Sequence, residues 1–180
     1  MKYDSPLVYL AAHTSIETER LLLRPMTLQD LQDYHAYTSD ADLLKYDYPA
    51  HQSLEESRYY LVTYNLSQPL GRYGIELKSE GKLIGNISLR VDEEQERATL
   101  GYTVHRAYHN HGYATEAATA LRNLATNLPG ITTLAAQTLA ANRASQRVLE
   151  KLGMIYVKRQ TRQSLQGQPA RHLLYELKLK

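Results

Sequence analysis

The 180-residue chain contains no cysteine, no phenylalanine and no tryptophan. Without cysteine there is no disulfide, no thiolate nucleophile and no thiolate metal site, so any thioester chemistry must belong to a cofactor. Without Phe and Trp the aromatic set is tyrosine alone, and the hydroxyls of those 15 residues each need a partner or a path to water. Long apolar runs are missing too. None approaches the ~20 residues that span a bilayer, and Met1-Lys2-Tyr3-Asp4-Ser5-Pro6 lacks the apolar stretch of a secretory signal. A cytoplasmic protein without a membrane partner is expected. Charge of one sign is scarce as well: 21 basic and 19 acidic side chains leave a formal +2, and the basic ones are spread along the chain. Dedicated nucleic-acid binding is therefore not expected.

What is present suffices for one well-cored domain. Residues 19 to 26 read as a strand and 27 to 38 as a helix, with Thr27 as N-cap and Asp30 as its capping-box partner. Residues 39 to 52 read as a loop broken by Pro49, and Ser53 opens a second helix that runs to about Asn65. A hairpin follows, its strands at 73 to 78 and 82 to 91 joined through Gly81. A fourth strand is expected at 97 to 105, a helix at 113 to 127 and a strand at 131 to 139. A helix at 143 to 152 stops at Gly153, and strands at 154 to 160 and 171 to 179 flank the polar loop 164 to 169. This order gives an α+β fold with a mixed sheet.

The most informative stretch is Tyr108-His109-Asn110-His111-Gly112-Tyr113-Ala114-Thr115-Glu116-Ala117. It joins a β-rich alternating run to an Ala-rich helix through small residues. At a helix N-terminus the first amide N–H groups lack partners and the macrodipole is positive, so an anion binds there without a dedicated cation. Gly112 and Ala114 keep that wall thin. A second segment, Asn142-Arg143-Ala144-Ser145-Gln146-Arg147-Val148-Leu149-Glu150-Lys151-Leu152-Gly153-Met154, follows the next apolar run. Together the two segments resemble the GNAT acyl-CoA N-acyltransferases.

In that family the pyrophosphate loop reads Gln/Arg-x-x-Gly-x-Gly/Ala, and His109, Gly112 and Ala114 take those positions. The second motif, Asn-x-x-Ser/Ala-x-x-Val/Leu-x-x-Lys-x-Gly-Phe/Met, matches at Asn142, Ser145, Val148, Lys151, Gly153 and Met154. Thr18-Glu19-Arg20-Leu21-Leu22-Leu23-Arg24-Pro25 and Leu100-Gly101-Tyr102 are similar to the ribosomal-protein N-terminal (RimJ/RimL-like) branch. The resemblance covers residues 16 to 180 and leaves 1 to 15 as an N-terminal extension, expected to be dispensable for chemistry.

The resemblance implies a GNAT fold: a central, mostly antiparallel sheet of about seven strands, flanked by about four helices and splayed between its fourth and fifth strands. It implies acetyl-CoA as co-substrate and direct attack of a neutral amine on the thioester within a ternary complex. The acceptor is a primary amine, a protein N-terminal α-amine being favoured and a polyamine or antibiotic the alternative. A homodimer is a further expected partner state. A catalytically silent acyl-CoA-binding module is the competing reading.

The implied cofactor contacts are Tyr102, Thr103 and Val104 on the splayed strand and His109, Asn110, His111, Gly112, Tyr113, Ala114 and Thr115 around the phosphate loop, with Asn142 and Ser145 beyond. Asn142 also suits a plain N-cap, and the two roles are compatible. Many members carry a tyrosine acid seven residues after the Asn, where this chain has Leu149. Ser145 is then the first proton source to test, with water or Tyr113 as others. Relatives often carry Glu where this chain has Thr99, so Glu76, acting through water, is the base considered. A weak base favours an α-amine, pKa ~7.7–8.0, over a lysine at ~10.4. Tyr46 and Tyr48 in the Pro-containing loop are expected to face the acceptor. His105, His109 and His111 lack a carboxylate or thiolate at ligand spacing, so phosphates rather than a metal are their expected partners.

Overall fold

Helix-capping and strand-alternating segments follow one another in the order an α+β sheet needs, and the computed structural model describes them over residues 5–164 and 167–179. Among these, eight strands form one sheet in the order β1-β2-β3-β4-β5-β6-β8-β7. They are β1 Ile16–Glu17, β2 Leu21–Arg24, β3 Arg72–Leu77, β4 Lys82–Asp92, β5 Arg97–Val104, β6 Thr133–Leu139, β7 Ile155–Gln163 and β8 Pro169–Lys178. The helices are α1 Pro6–Ala12, α2 Leu31–Thr38, α3 Ala41–Leu44, α4 Leu54–Tyr60, α5 Tyr113–Thr126 and α6 Arg143–Lys151. The strand beyond the seven expected is β1, whose two residues pair with Leu22 and Leu23 and are too few for alternation to reveal.

Local chemistry sets the boundaries. Thr27 and Asp30 form the expected capping box, but the first turn, Leu28–Asp30, is a tighter 3-10 turn leading into α2. Ser53 caps α4 by accepting the Glu56 N–H at 3.1 Å. That helix then widens into a π-helical stretch, Leu61–Leu66. The expected loop 39 to 52 contains α3, held by Asp40, whose carboxylate accepts the N–H groups of Asp42 and Leu43. Gly153 ends α6 at φ +78°, a left-handed C′ position that glycine occupies without strain.

The core lies between the sheet and α5. Leu21, Ile75, Ile87, Leu89 and Leu100 from the strands meet Ala117, Ala118, Leu121 and Ala125, and all are at most 3% exposed. Small alanines let the helix lie close on the sheet, and each buried Leu or Ile contributes roughly 1.5–3 kcal/mol of transfer free energy. A smaller cluster of Met26, Tyr34, Tyr37, Leu61 and Leu83 seats α2 and α4. The tyrosine-only inventory is accommodated by hydrogen bonding: fully buried Tyr37 donates to Asn86 Oδ1 at 2.9 Å, and Tyr73 donates to the His13 carbonyl at 2.9 Å. That second bond, with Leu10 at 1% exposure in the main core, docks α1 onto the sheet.

Only β5 and β6 run parallel, pairing Arg97–Thr133, Ala98–Leu134, Thr99–Ala135 and Leu100–Ala136. Beyond that point β5 stays with β4 as far as Val104, while β6 continues along β8. Residues 101–104 therefore present an open edge, and this splay positions the site.

Candidate active site

The open edge of β5, the start of α5 and the start of α6 enclose a cavity of about 730 Å³. A second hollow of about 600 Å³ adjoins it at Gly112, Thr115 and Lys151 and lies against Thr18 and Glu116. Tyr102, Thr103, Val104, His109, Asn110, Gly112, Tyr113, Ala114, Thr115, Asn142 and Ser145 all line the larger cavity. The sequence reading thus collected most of one wall from three separate segments.

The loop before α5 has the backbone an anion needs. Asn110 at φ +64° and Gly112 at φ +82° are both left-handed, which curls the chain so that successive N–H groups converge. Gly112 caps α5 without a side-chain hydrogen bond, leaving the first amides of the 14-residue helix to a ligand. A Cβ at Gly112 would sit 3.4 Å from Arg20 Nη2, in the left-handed region that β-branched residues resist. These residues fit a pyrophosphate.

Arg20 on the turn before β2 staples this loop. Its Nη1 donates to the His111 carbonyl at 2.9 Å, its Nε donates to Glu116 Oε2 at 2.7 Å, and its guanidinium lies 4.5 Å from the Tyr113 ring centroid. Glu116 also accepts from the Thr18 hydroxyl at 2.6 Å and the Arg20 N–H at 2.9 Å. Burial opposes ionisation of Glu116, but these donors together hold its pKa below the usual carboxylate value.

Three of the expected cofactor contacts need correction. His105 N–H bonds Ile84 O, and Thr133 N–H bonds Glu96 O. Alternation then turns the main chains of Tyr102 and Val104 to the open edge and that of Thr103 toward β4, so Thr103 offers the edge no main-chain pairing. Its hydroxyl meets Tyr48 instead. The His109 ring bonds the Val104 carbonyl at 2.8 Å through Nε2, which takes that acceptor off the edge and turns Nε2 away from a phosphate. His111 lies outside the cavity, stacked on Tyr113 with its Nδ1 bonding the His109 carbonyl at 2.8 Å.

At the far end of the cavity, Tyr102 and Ser145 bring their hydroxyls within 3.0 Å of each other. Burial pushes the Tyr102 pKa up to about 12, partly offset by the Ser145 hydrogen bond, so the phenol holds its proton at neutral pH. Asn142 caps α6 by accepting the Ser145 N–H at 3.1 Å through its amide oxygen, and the residue lines the cavity. Leu149, at the position where the resemblance implied a tyrosine, is core at 1% exposure.

The acceptor side departs further from the sequence reading. Glu76 does not line the cavity; its carboxylate accepts the Arg24 Nε at 2.5 Å, and the same guanidinium grips Asp30 at 2.7 Å. A carboxylate spent on an ion pair away from the cavity is not placed to take a substrate proton. Tyr46 lines the cavity, with Lys45 Nζ 5.1 Å from its ring centroid. Tyr48 does not; it turns inward, 5.8 Å from the His51 ring, where burial raises its pKa. Between them Asp47, which no motif singles out, is half-buried in the cavity wall. Burial alone pushes its pKa up to about 6.

Comparison with known proteins fits this geometry. Residues 20–155 match the family model of the acetyltransferase (GNAT) domain. YnaD, an uncharacterised N-acetyltransferase of Bacillus subtilis (strain 168), is 31% identical over 139 residues, 77% of this chain and 81% of that protein. A GNAT-family acetyltransferase from Bacillus anthracis superposes with a TM-score of 0.81 at 26% identity, covering 92% of this chain and 98% of that one. RimL, a ribosomal L7/L12 α-N-protein acetyltransferase solved with coenzyme A, shares the fold at TM-score 0.79 and 17% identity, over 91% of this chain and 97% of its own. The chain therefore belongs to the GNAT family of acetyl-CoA-dependent N-acetyltransferases.

Proposed function

We propose that the enzyme acetylates a primary amine, with a protein N-terminal α-amine favoured, in the manner of the RimJ/RimL-like branch. The observation that carries this reading is one cavity joining a backbone suited to an anion, an open strand edge and a half-buried hydroxyl pair. The branch assignment draws on the segment from Thr18 to Pro25 and on the fold shared with RimL.

Bound acetyl-CoA supplies the activated acetyl group as a thioester. In this reading the main-chain N–H groups at the start of α5 hold the pyrophosphate, and the main chain of Tyr102 and the Val104 N–H are offered to the pantetheine arm. Asn142 contributes its amide NH₂. Ser145 donates its proton to the departing sulfur, and Tyr102 hydrogen-bonds Ser145 so that the hydroxyl stays oriented and can be replenished. Holding both reactants in one cavity supplies the proximity that direct transfer needs.

The silent acyl-CoA-binding module draws on Leu149 and on Glu76 being engaged elsewhere. Thiol release from acetyl-CoA separates the readings when measured with peptides of varied N-terminus, spermidine and kanamycin. Turnover on peptides supports the α-amine, turnover on spermidine or kanamycin alone moves the acceptor to small molecules, and acetyl-CoA binding without turnover supports the silent module.

A further inference from the structure

Resting on that acetyltransferase reading, we infer that Asp47 is the catalytic base and the docking point for the acceptor's ammonium group. It sits at residue 47, between α3 and Pro49, and shares the cavity with Tyr102 and Ser145. Its carboxylate has no hydrogen bond or ion pair among the described residues, whereas its acidic neighbours are engaged: Arg106 pairs with Asp40 at 3.0 Å and Asp42 at 3.3 Å. A half-buried carboxylate without a partner is costly to keep charged, so a cationic ligand entering beside it gains the pairing the protein withholds.

The chemistry closes around that position. The ammonium gives one proton to Asp47, its nitrogen forms the bond to the acetyl carbon, and the carbon–sulfur bond breaks. Ser145 passes its proton to the sulfur and Tyr102 restores Ser145; the second proton, lost by the nitrogen as the amide forms, returns to Tyr102 through water, and the proton on Asp47 leaves to water. Tyr102 and Ser145 on β5 and α6 thus work as the acid, and Asp47 on the opposite loop as the base.

The groups around Asp47 keep its titration readable. Tyr48 and Tyr102 face it as neutral phenols, their pKa values raised by burial. Of the cavity's cations, Lys45 lies over Tyr46, Arg106 is paired, and Arg147 and Lys151 come from α6. Asp42 also lines the cavity, paired with Arg106, and the His109 ring is held by the Val104 carbonyl. Because burial lifts Asp47 to about 6, the carboxylate base is present above that pH and lost below it.

The test is Asp47→Asn, with turnover read on the peptide, spermidine and kanamycin panel and acetyl-CoA affinity read by calorimetry. The expected result is a ~10²-fold or larger loss in kcat, retained acetyl-CoA affinity, and disappearance of the acidic limb of the pH profile. His109→Gln is expected to keep that limb. Asp47→Glu, which retains a carboxylate if Asn perturbs folding, is expected to recover at least a tenth of the wild-type rate, with the limb shifted. Wild-type turnover with an Asp47→Asn rate within threefold and an unchanged pH profile overturns the base while leaving the acetyltransferase reading intact. A wild-type protein that binds acetyl-CoA but acetylates no amine on the panel overturns both.

Discussion

The two halves of the cavity are made differently. The half we propose for the cofactor is main chain: left-handed residues at 110 and 112, the first amides of α5 and the open edge of β5. The half we propose for the acceptor is side chain, carried by the loop around α3 and backed by Tyr34, Tyr37 and His51. A main-chain site constrains residue type narrowly, because only small or left-handed-tolerant residues allow the path. A side-chain site constrains it only through the ligand it recognises, so that half can change acceptor while the cofactor half stays the same.

The largest expected effect comes from the point where the halves meet. Ser145→Ala should lower kcat by ~10²-fold or more with little change in KM for acetyl-CoA, since a lost donor to a developing anion in a buried site costs that much. Tyr102→Phe should give a smaller loss, because Ser145 keeps its hydroxyl and only its 3.0 Å partner disappears. An unchanged kcat in Ser145→Ala, with chemistry rather than product release limiting turnover, would leave water as the proton source.

Next comes a change confined to the cofactor half. Gly112→Val should raise KM for acetyl-CoA by roughly tenfold to a hundredfold, since a β-branched residue at φ +82° carries about 1–3 kcal/mol of strain. The new side chain would also press on Arg20 and the staple to Glu116. Unchanged cofactor affinity in a folded Gly112→Val protein would move the pyrophosphate elsewhere. Because the substitution touches one half alone, acceptor preference should survive it.

This division also decides what was legible in the sequence. The segments around Gly112 and around Asn142 and Ser145 stood out through their resemblance to family motifs that record a backbone path, and the structure brings them to one cavity; the His109 and His111 side chains, which such a path does not fix, bond the loop's own carbonyls. The capping box of Thr27 and Asp30 and the glycine stop of α6 were legible for the same reason. Glu76 was misread because a strand glutamate carries no sign of its partner; Arg24, 52 residues away, claims it through the β2–β3 pairing. Tyr48 was misread because nothing in Lys45-Tyr46-Asp47-Tyr48-Pro49 tells which aromatic turns inward, and Asp47 was missed because its character comes from burial, which the fold supplies.

A medium effect, on stability rather than chemistry, is expected at α1. Leu10 is 1% exposed and touches the main core, so Leu10→Ala should cost about 2–5 kcal/mol. Thermal or denaturant unfolding measures it. Truncation before Ile16 should likewise lower stability, by removing Leu10 and the His13 carbonyl that Tyr73 uses, while the surviving folded fraction keeps kcat within a few-fold. Loss of activity beyond the loss of folded protein would extend the cofactor half to α1.

The smallest effect is expected from Glu76→Gln, and it sharpens the comparison most because it tests a residue that lies in neither half. Its carboxylate belongs to the Arg24–Asp30 cluster, where the guanidinium also holds the capping box that starts α2. Gln keeps an oxygen acceptor for Arg24 but removes the charge, and Arg24 retains Asp30 through two hydrogen bonds of 2.7 and 3.0 Å. Stability should therefore fall by no more than about 1 kcal/mol, in the range of a partly exposed ion pair. The rate kcat should stay within twofold and the pH profile should not move, because no proton of the reaction passes through this site. A large kcat loss with unchanged stability and an altered acidic limb would return Glu76 to the role of base and require Arg24 to release it during turnover.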